Sequence, residues 1–502
     1  MKRLSANRTT DVFDTAAAGP LDSLVVDRRG AMVVCAGLIA GASLGPRRRM
    51  PRVEPHVPRF VIPLSIPPTL RPTRTDATTD YYEIEQRESV MDIVPQERTS
   101  VWGYAGRVPG PTLHARAGRG VVVRQTNRLP VPTVVHLHGG HTEPDSDGFP
   151  TDLVQPGESR TYKYGNGQSA ATLWYHDHAM DHTGRNLYMG LAGFYLIHDD
   201  EESALRLPSG AYDVPLMIQN RSLDSAGALV YDTERFLGAG GDVLLVNGTP
   251  WPRFDVAARK YRFRVLNASN STKYELALSN GRPLVQIATD GGLLPGPLAS
   301  ASIPLAMAER VEVVIDFSGY PIGTTVLLQN LAGDGPQGAI MRFDVVRAEA
   351  DDSDVPSTLR PISPIAPPTA PPARTFVFDG GPSGFPPVAH WAINGNGFDP
   401  ERVVASPKFG DIEVWRFINH KRFGFLGRLH PVHVHLVHFQ ILERNGRPPL
   451  AHERGWKDTV ALEKGDDVRI AMRFDGFRGR YLIHCHNLEH EDHSMMARFD
   501  VV

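Results

Sequence analysis

VVVRQTN at residues 121–127 returns as YRFRVLN at 261–267 and as EVWRFIN at 413–419. Each run is rich in β-branched or aromatic residues and closes on an asparagine, which reads as a strand running into a turn. Comparable turns lie upstream of each copy, at residues 106–111, 247–248 and 394–395. One unit of β-sandwich size is therefore expected three times over, and internal repetition of this kind fixes the architecture before any single motif does.

Length and composition agree with that reading. At about 150 residues per domain the 502 residues allow roughly three. The 47 glycines and 42 prolines exceed the average combined share of about 12%, which favours turn-rich β structure over helical bundles. A net charge of −3 lacks the basic excess of a nucleic-acid binder. Residues 351–374 hold seven prolines, among them Pro367-Pro368 and Pro371-Pro372, and are expected to form an extended linker. The expected organisation is a tail at 1–51, domains at 52–207, 208–350 and 375–502, and the linker at 351–374.

The tail carries Arg28-Arg29, an apolar stretch at 30–44 and then Arg47-Arg48-Arg49. This resembles a twin-arginine export signal, so a periplasmic or secreted location is expected; a disordered arm on a cytoplasmic or spore-associated protein is the alternative. The longest uncharged run, residues 30–46, falls short of the roughly 18 apolar residues of a membrane span. There are two cysteines, Cys35 in the tail and Cys485 between two histidines. No disulfide framework is possible, and only Cys485 has an evident chemical neighbourhood.

Four histidine clusters carry the chemistry, two in the first copy and two in the third: His136-Leu137-His138, His176-Asp177-His178, HPVHVH at 430–435, and HCHNLEHEDHSMM at 484–496. The flanks at 133–137 and 432–442 read as strands, where residues two apart share a face. Each His-x-His pair can then offer two imidazoles to neighbouring metal ions while the residue between them points away. In His484-Cys485-His486 that residue is a thiol. A thiolate beside imidazoles with a remote methionine suggests a blue-copper site, and Cys485, His490 and Met495 supply three of its four ligands. Zinc fits less well, because structural zinc wants four Cys or His ligands in compact spacing.

With HLHGGHTEPDSDGFP (136–150), WYHDHAM (174–180), HPVHVHLVHF (430–439) and HCHNLEHEDHSMM, the chain from 52 to 502 resembles the multicopper oxidases, most nearly the spore-coat laccase, bilirubin oxidase and phenoxazinone synthase group. The resemblance implies three consecutive cupredoxin-like Greek-key β-sandwich domains, the middle one metal-free, and four copper ions. It assigns type 1 copper to His430, Cys485 and His490 with Met495 axial, type 2 copper to His136 and His433, and the type 3 pair to His138, His176, His178, His435, His484 and His486. The three-copper cluster would lie between the first and third domains. Asp147 and Glu491 match positions held responsible for protonation near bound oxygen. His141, His182, His438 and His493 match no ligand place and read as neighbouring or surface residues.

The implied activity is one-electron oxidation of phenolic, aminophenolic or bilirubin-type donors coupled to four-electron reduction of dioxygen to water. The partners would be a small aromatic reductant and dioxygen, and the chain a monomer. A cuprous-ion oxidase is the alternative and would gather methionines near the electron entry site; of the 12 methionines only Met495-Met496 are adjacent. A copper-free structural cupredoxin would show eroded ligands, and none is missing.

Overall fold

The computed structural model describes residues 57–95, 97–232, 237–366, 371–383, 388–420 and 428–502. The expected export signal and Cys35 lie outside these residues. Strands dominate, and in chain order they form three pairs of sheets: five and four strands, then seven and five, then five and five. Among the described residues no helix is long and apolar enough to cross a membrane.

The same pairing recurs in each copy. The first long strand lies parallel to the strand that ends in asparagine: Thr79–Met91 with Gly120–Asn127, Asp213–Arg221 with Lys260–Asn267, and Arg374–Ser383 with Ile412–Asn419. Parallel partners cannot be joined by a hairpin, so the chain crosses to the facing sheet between them, which gives a sandwich rather than a meander. Each sandwich closes on the inward face of these strands. Val121 and Val123 pack with Leu173 and Ile197 in the first, Phe263 and Val313 with Phe343 in the second, and Trp415 and Phe417 with Ile470 and Phe499 in the third. Burying one such side chain stabilises by about 1.5–3 kcal/mol.

The three asparagines do more than form turns. All are buried, and each amide bridges two carbonyls: Asn127 those of Val131 and Val154, Asn267 those of Thr272 and Leu305, Asn419 those of Arg428 and Leu462. The side chain thus ties the loop after the strand to another segment of the same sandwich.

Two stretches differ from expectation in an informative way. The strand read over 432–442 is two strands, His430–Val434 and Phe439–Arg444, separated by a bend at Leu436, whose φ is 72°. The first pairs with Gly479–Cys485 and the second with Asp467–Arg473, so the break is where the chain passes from one sheet to the other. Residues 351–366 contain no helix or strand, yet they are fastened along their length. Leu359 and Arg360 donate backbone N–H groups to the carbonyls of Pro295 and Leu294, and the Arg360 guanidinium holds Asp199 at 2.6 Å. The segment is a strap on the first two sandwiches.

Buried charge joins those sandwiches as well. Arg262 and Arg264 are paired with Glu202, Asp213 and Glu312, and Thr172 accepts from Arg264 while donating to Glu312. Desolvated ions are tolerable only when fully paired, and removing one partner typically costs about 3–5 kcal/mol.

Candidate metal centres

Strand alternation builds both centres. Gly479–Cys485 pairs with His430–Val434 so that His484 faces His433 and Cys485 faces Val432. Val135–His138 pairs with Ala171–Asp177 so that His136 faces His176. The residue between each pair of histidines turns away, as period-two geometry requires: Leu137 and Val434 enter the sandwich cores, and Asp177 accepts from Asn186, Ala179 and Val134.

On one side of the Gly479–Cys485 strand lies a small centre. Cys485 Sγ is 3.5 Å from His430 Nδ1 and 3.6 Å from His490 Nδ1, and the two nitrogens are 3.1 Å apart. The backbone N–H of Asn487 donates to the sulfur at 3.4 Å. The Trp391 ring covers His490 with centroids 3.8 Å apart. Met495 is fully buried in the same core cluster as Cys485, whereas Met496 packs with Phe149 and Leu482 in another. Burial pushes the Cys485 thiol up and holds His430 down to about 3.

On the other side lies a cage of eight imidazoles from the first and third sandwiches. Three triads have all their donor atoms within 4.8 Å of one another: His136, His138 and His433; His138, His176 and His486; His178, His435 and His484. Nε2 of His136 lies 3.4 Å from Nε2 of His433, and the Nε2 atoms of His435 and His484 lie 3.1 Å apart. Burial and neighbouring imidazoles hold His136, His138, His176, His435, His484 and His486 well below the usual range, and His178 to about 4. These rings are neutral and offer lone pairs.

The residues fit a metal. His138 Nδ1, His176 Nε2 and both ring nitrogens of His486 are buried without a hydrogen-bond partner, and such atoms in native proteins call for an explanation. A cation supplies it. Imidazoles alone would suit several ions, but a thiol on the strand that also carries His484, with two imidazoles and a thioether beside it, selects copper.

Carboxyl groups border the cage. Asp147, on the short helix Pro144–Asp147, accepts from His435 Nδ1 at 2.7 Å with Oδ2, and its carbonyl accepts from His136 Nδ1. Burial raises its carboxyl to about 8. Glu491, on the helix Leu488–Asp492, lies 3.0 Å from His484 Nδ1 and 3.5 Å from His178 Nδ1, with neither contact aligned as a hydrogen bond. Burial raises it too. Both are wholly enclosed, so each can carry a proton where water has limited access.

Comparison with known proteins is decisive. Two family models, each described as multicopper oxidase, match the chain, one over residues 86–202 and the other over residues 367–502. The chain belongs to the multicopper oxidase family. It is 38% identical to a laccase of Bacillus stratosphericus, over 89% of this chain and all of the relative, and 38% identical to a bilirubin oxidase of Albifimbria verrucaria, over 90% of this chain and 83% of that one. A solved multi-copper oxidase structure from Pediococcus acidilactici superposes with a TM-score of 0.82 at 32% identity, covering 89% of this chain and 92% of that one. This multicopper oxidase is thus a copper-dependent oxidoreductase with dioxygen as acceptor, and its complement is four copper ions.

The oxidase places His141, His182, His438 and His493 outside both centres. His141 packs its ring on His438, whose Nε2 donates to the Gly139 carbonyl; His182 precedes the helix Thr183–Met189, and His493 Nδ1 donates to the Glu489 carbonyl. Sequence reading missed Asp458. Its carbonyl accepts from His433 Nδ1 and its carboxylate from His138 Nε2. No motif marks it; only the antiparallel pairing of Thr459 with His433 brings it to the cage.

Proposed function

We propose that this oxidase takes electrons singly from phenolic, aminophenolic or bilirubin-type donors at the Cys485 centre and delivers them to dioxygen in the imidazole cage, releasing water. The observation that carries this reading is His484-Cys485-His486: one strand end presents a thiol to one centre and two imidazoles to the other, so a few covalent bonds join them. His430, Cys485 and His490 with Met495 would hold type 1 copper, His136 and His433 type 2, and His138, His176 and His486 with His178, His435 and His484 the type 3 pair. Copper so held supplies one-electron acceptance at the thiolate and multi-electron reduction at the cage.

The chain's own residues do the rest. Asp147 orients His435 and His136, and Glu491 holds a proton between His178 and His484. Carboxyls raised by burial keep their protons to higher pH than exposed ones and can donate them where dioxygen reduction consumes protons. The buried setting also keeps bulk water from the cage. The donor class follows the laccase and bilirubin oxidase relatives. The same reading includes domain limits at 52–207, 208–350 and 375–502, the Pro-rich linker at 351–374, a monomeric chain, and export directed by residues 1–51.

Oxygen uptake by copper-loaded protein across phenols, aminophenols, bilirubin and cuprous ion tests it. Turnover of aromatic donors after excess metal is stripped is the expected result. Activity only with added copper, or a higher specificity constant for Cu(I) than for every organic donor, would reverse the reading.

A further inference from the structure

Arg310 opens the strand Arg310–Asp316 of the middle sandwich, and its side chain is fully buried. A guanidinium has five N–H donors, and here every one is used. Nε donates to the Thr172 carbonyl at 2.9 Å, Nη1 to the Ala308 carbonyl at 3.1 Å and Asp458 Oδ1 at 2.8 Å, and Nη2 to the Asp290 carbonyl at 3.1 Å and Asp458 Oδ2 at 2.5 Å. Thr172 belongs to the first sandwich, Ala308 and Asp290 to the second, and Asp458 to the third. The anchor is itself fixed: Asp290 accepts the backbone N–H of Arg310 at 2.8 Å and pairs with Lys457 at 2.9 Å.

Asp458 is the point where this network meets the cage. Gripped by the guanidinium, Oδ1 also accepts from Thr459 Oγ1 at 2.8 Å and from His138 Nε2 at 3.1 Å. Because a carboxylate only accepts, His138 carries its proton on Nε2, and its lone pair sits on Nδ1, the buried unpartnered atom facing the cage. His136, His176, His433, His435 and His484 are turned the other way, each with Nδ1 against a carbonyl or carboxylate oxygen. The ring nitrogen left for a metal is set by the hydrogen bond the other one makes.

Gly139 supports the same reading. It follows His138 with φ of 84°, and a Cβ there would fall 2.7 Å from both Arg310 Nη2 and Asp458 Oδ2. Only a residue without a side chain lets the ion pair close beside His138.

We propose that Arg310 is a positioning residue for the cage: the metal-free middle sandwich selects the ligating nitrogen of His138 and fixes His433, acting through Asp458. This rests on the copper assignment above. The test compares copper-reconstituted wild type with Arg310→Met and Arg310→Lys by copper content, chelator resistance, the blue thiolate absorption and the paramagnetic resonance of the uncoupled copper. Arg310→Met is expected to keep the blue band, lose cage copper to a chelator about 10–100-fold more readily, and show altered hyperfine values; Arg310→Lys, which keeps the charge, should recover part of the loss. A purely structural arginine would lower thermal stability and leave hyperfine values alone. A blue Arg310→Met protein with full copper, unchanged resonance and wild-type chelator resistance overturns the proposal. Should that variant yield no blue protein, Asp458→Asn decides by the same readouts: altered cage signals with the blue band intact support it, and unaltered ones overturn it. Wild type that takes up no copper would overturn the copper assignment itself, a distinguishable failure.

Discussion

The backbone N–H of Cys485 donates to the Met495 carbonyl at 3.1 Å, and both side chains are fully buried in one core, while Met496 packs into another. The resemblance assigns Met495 as the axial ligand, and the burial of the two adjacent methionines in different cores supports that choice over Met496. A thioether donating weakly to oxidised copper holds its potential down. Met495→Leu should therefore raise the potential of the blue copper, and Met496→Leu should leave it unchanged. A redox titration in which only Met496→Leu moves the potential would reverse the assignment.

Cys485 is the only thiol among the described residues, and it alone can give the copper charge-transfer colour. Cys485→Ser should abolish the blue absorption and cost the protein about one copper of its four at most, since the cage imidazoles are untouched. Metal analysis beside a visible spectrum checks both halves. A blue Cys485→Ser protein is incompatible with the assignment.

Glu491 tests the proton route. Replacing it by glutamine removes an ionisable group and keeps the volume, 3.0 Å from His484 and 3.5 Å from His178. General acid–base catalysis typically contributes about 10²–10⁴-fold, so Glu491→Gln should slow dioxygen reduction within that range and leave the blue spectrum intact. Single-turnover reoxidation of the reduced enzyme is the measurement. An unchanged rate at every pH would show that the proton travels elsewhere, with Asp147 the next residue to examine.

These residues were legible in the sequence because strand periodicity and metal chemistry act locally: His-x-His on a strand must present two rings on one face, whatever surrounds it. The three asparagine-ended strands were legible for the same reason, and their parallel pairing recurs in all three sandwiches. The break at Leu436 was not, because VHLVHFQIL reads as one β-rich run and only the sheet that each half joins divides it. Asp458 and Arg310 were equally hidden. Their partners lie 320 and 148 residues away in sequence, and a lone aspartate or arginine bears no local sign of what it grips.

The copper-free protein should be acid-labile. An unfolded histidine takes its proton near pH 6.5, but burial keeps His141 and His430 neutral down to about 3 and His178 and His438 down to about 4. Between those values the unfolded chain binds more protons, so stability is present above pH 6.5 and is lost as pH falls toward the folded values. Asp147 and Asp177 act in the opposite sense. Burial holds them up to about 8 and about 7, so the folded chain keeps protons that the unfolded chain releases. With four imidazoles against two carboxyls, the unfolded chain takes up more protons on balance, so stability falls between roughly pH 6 and 4.5. Seven further imidazoles, those of His136, His138, His176, His435, His484, His486 and His490, are lowered, and they outnumber the raised Glu489, Glu491 and Asp492. The sign therefore holds. Denaturant midpoints measured from pH 7 to pH 5 should fall steeply for copper-free protein. Copper loading, which engages the same lone pairs, should move the fall to lower pH; a midpoint that stays level or rises on acidification would mean that the cage rings are already protonated in the folded apoprotein.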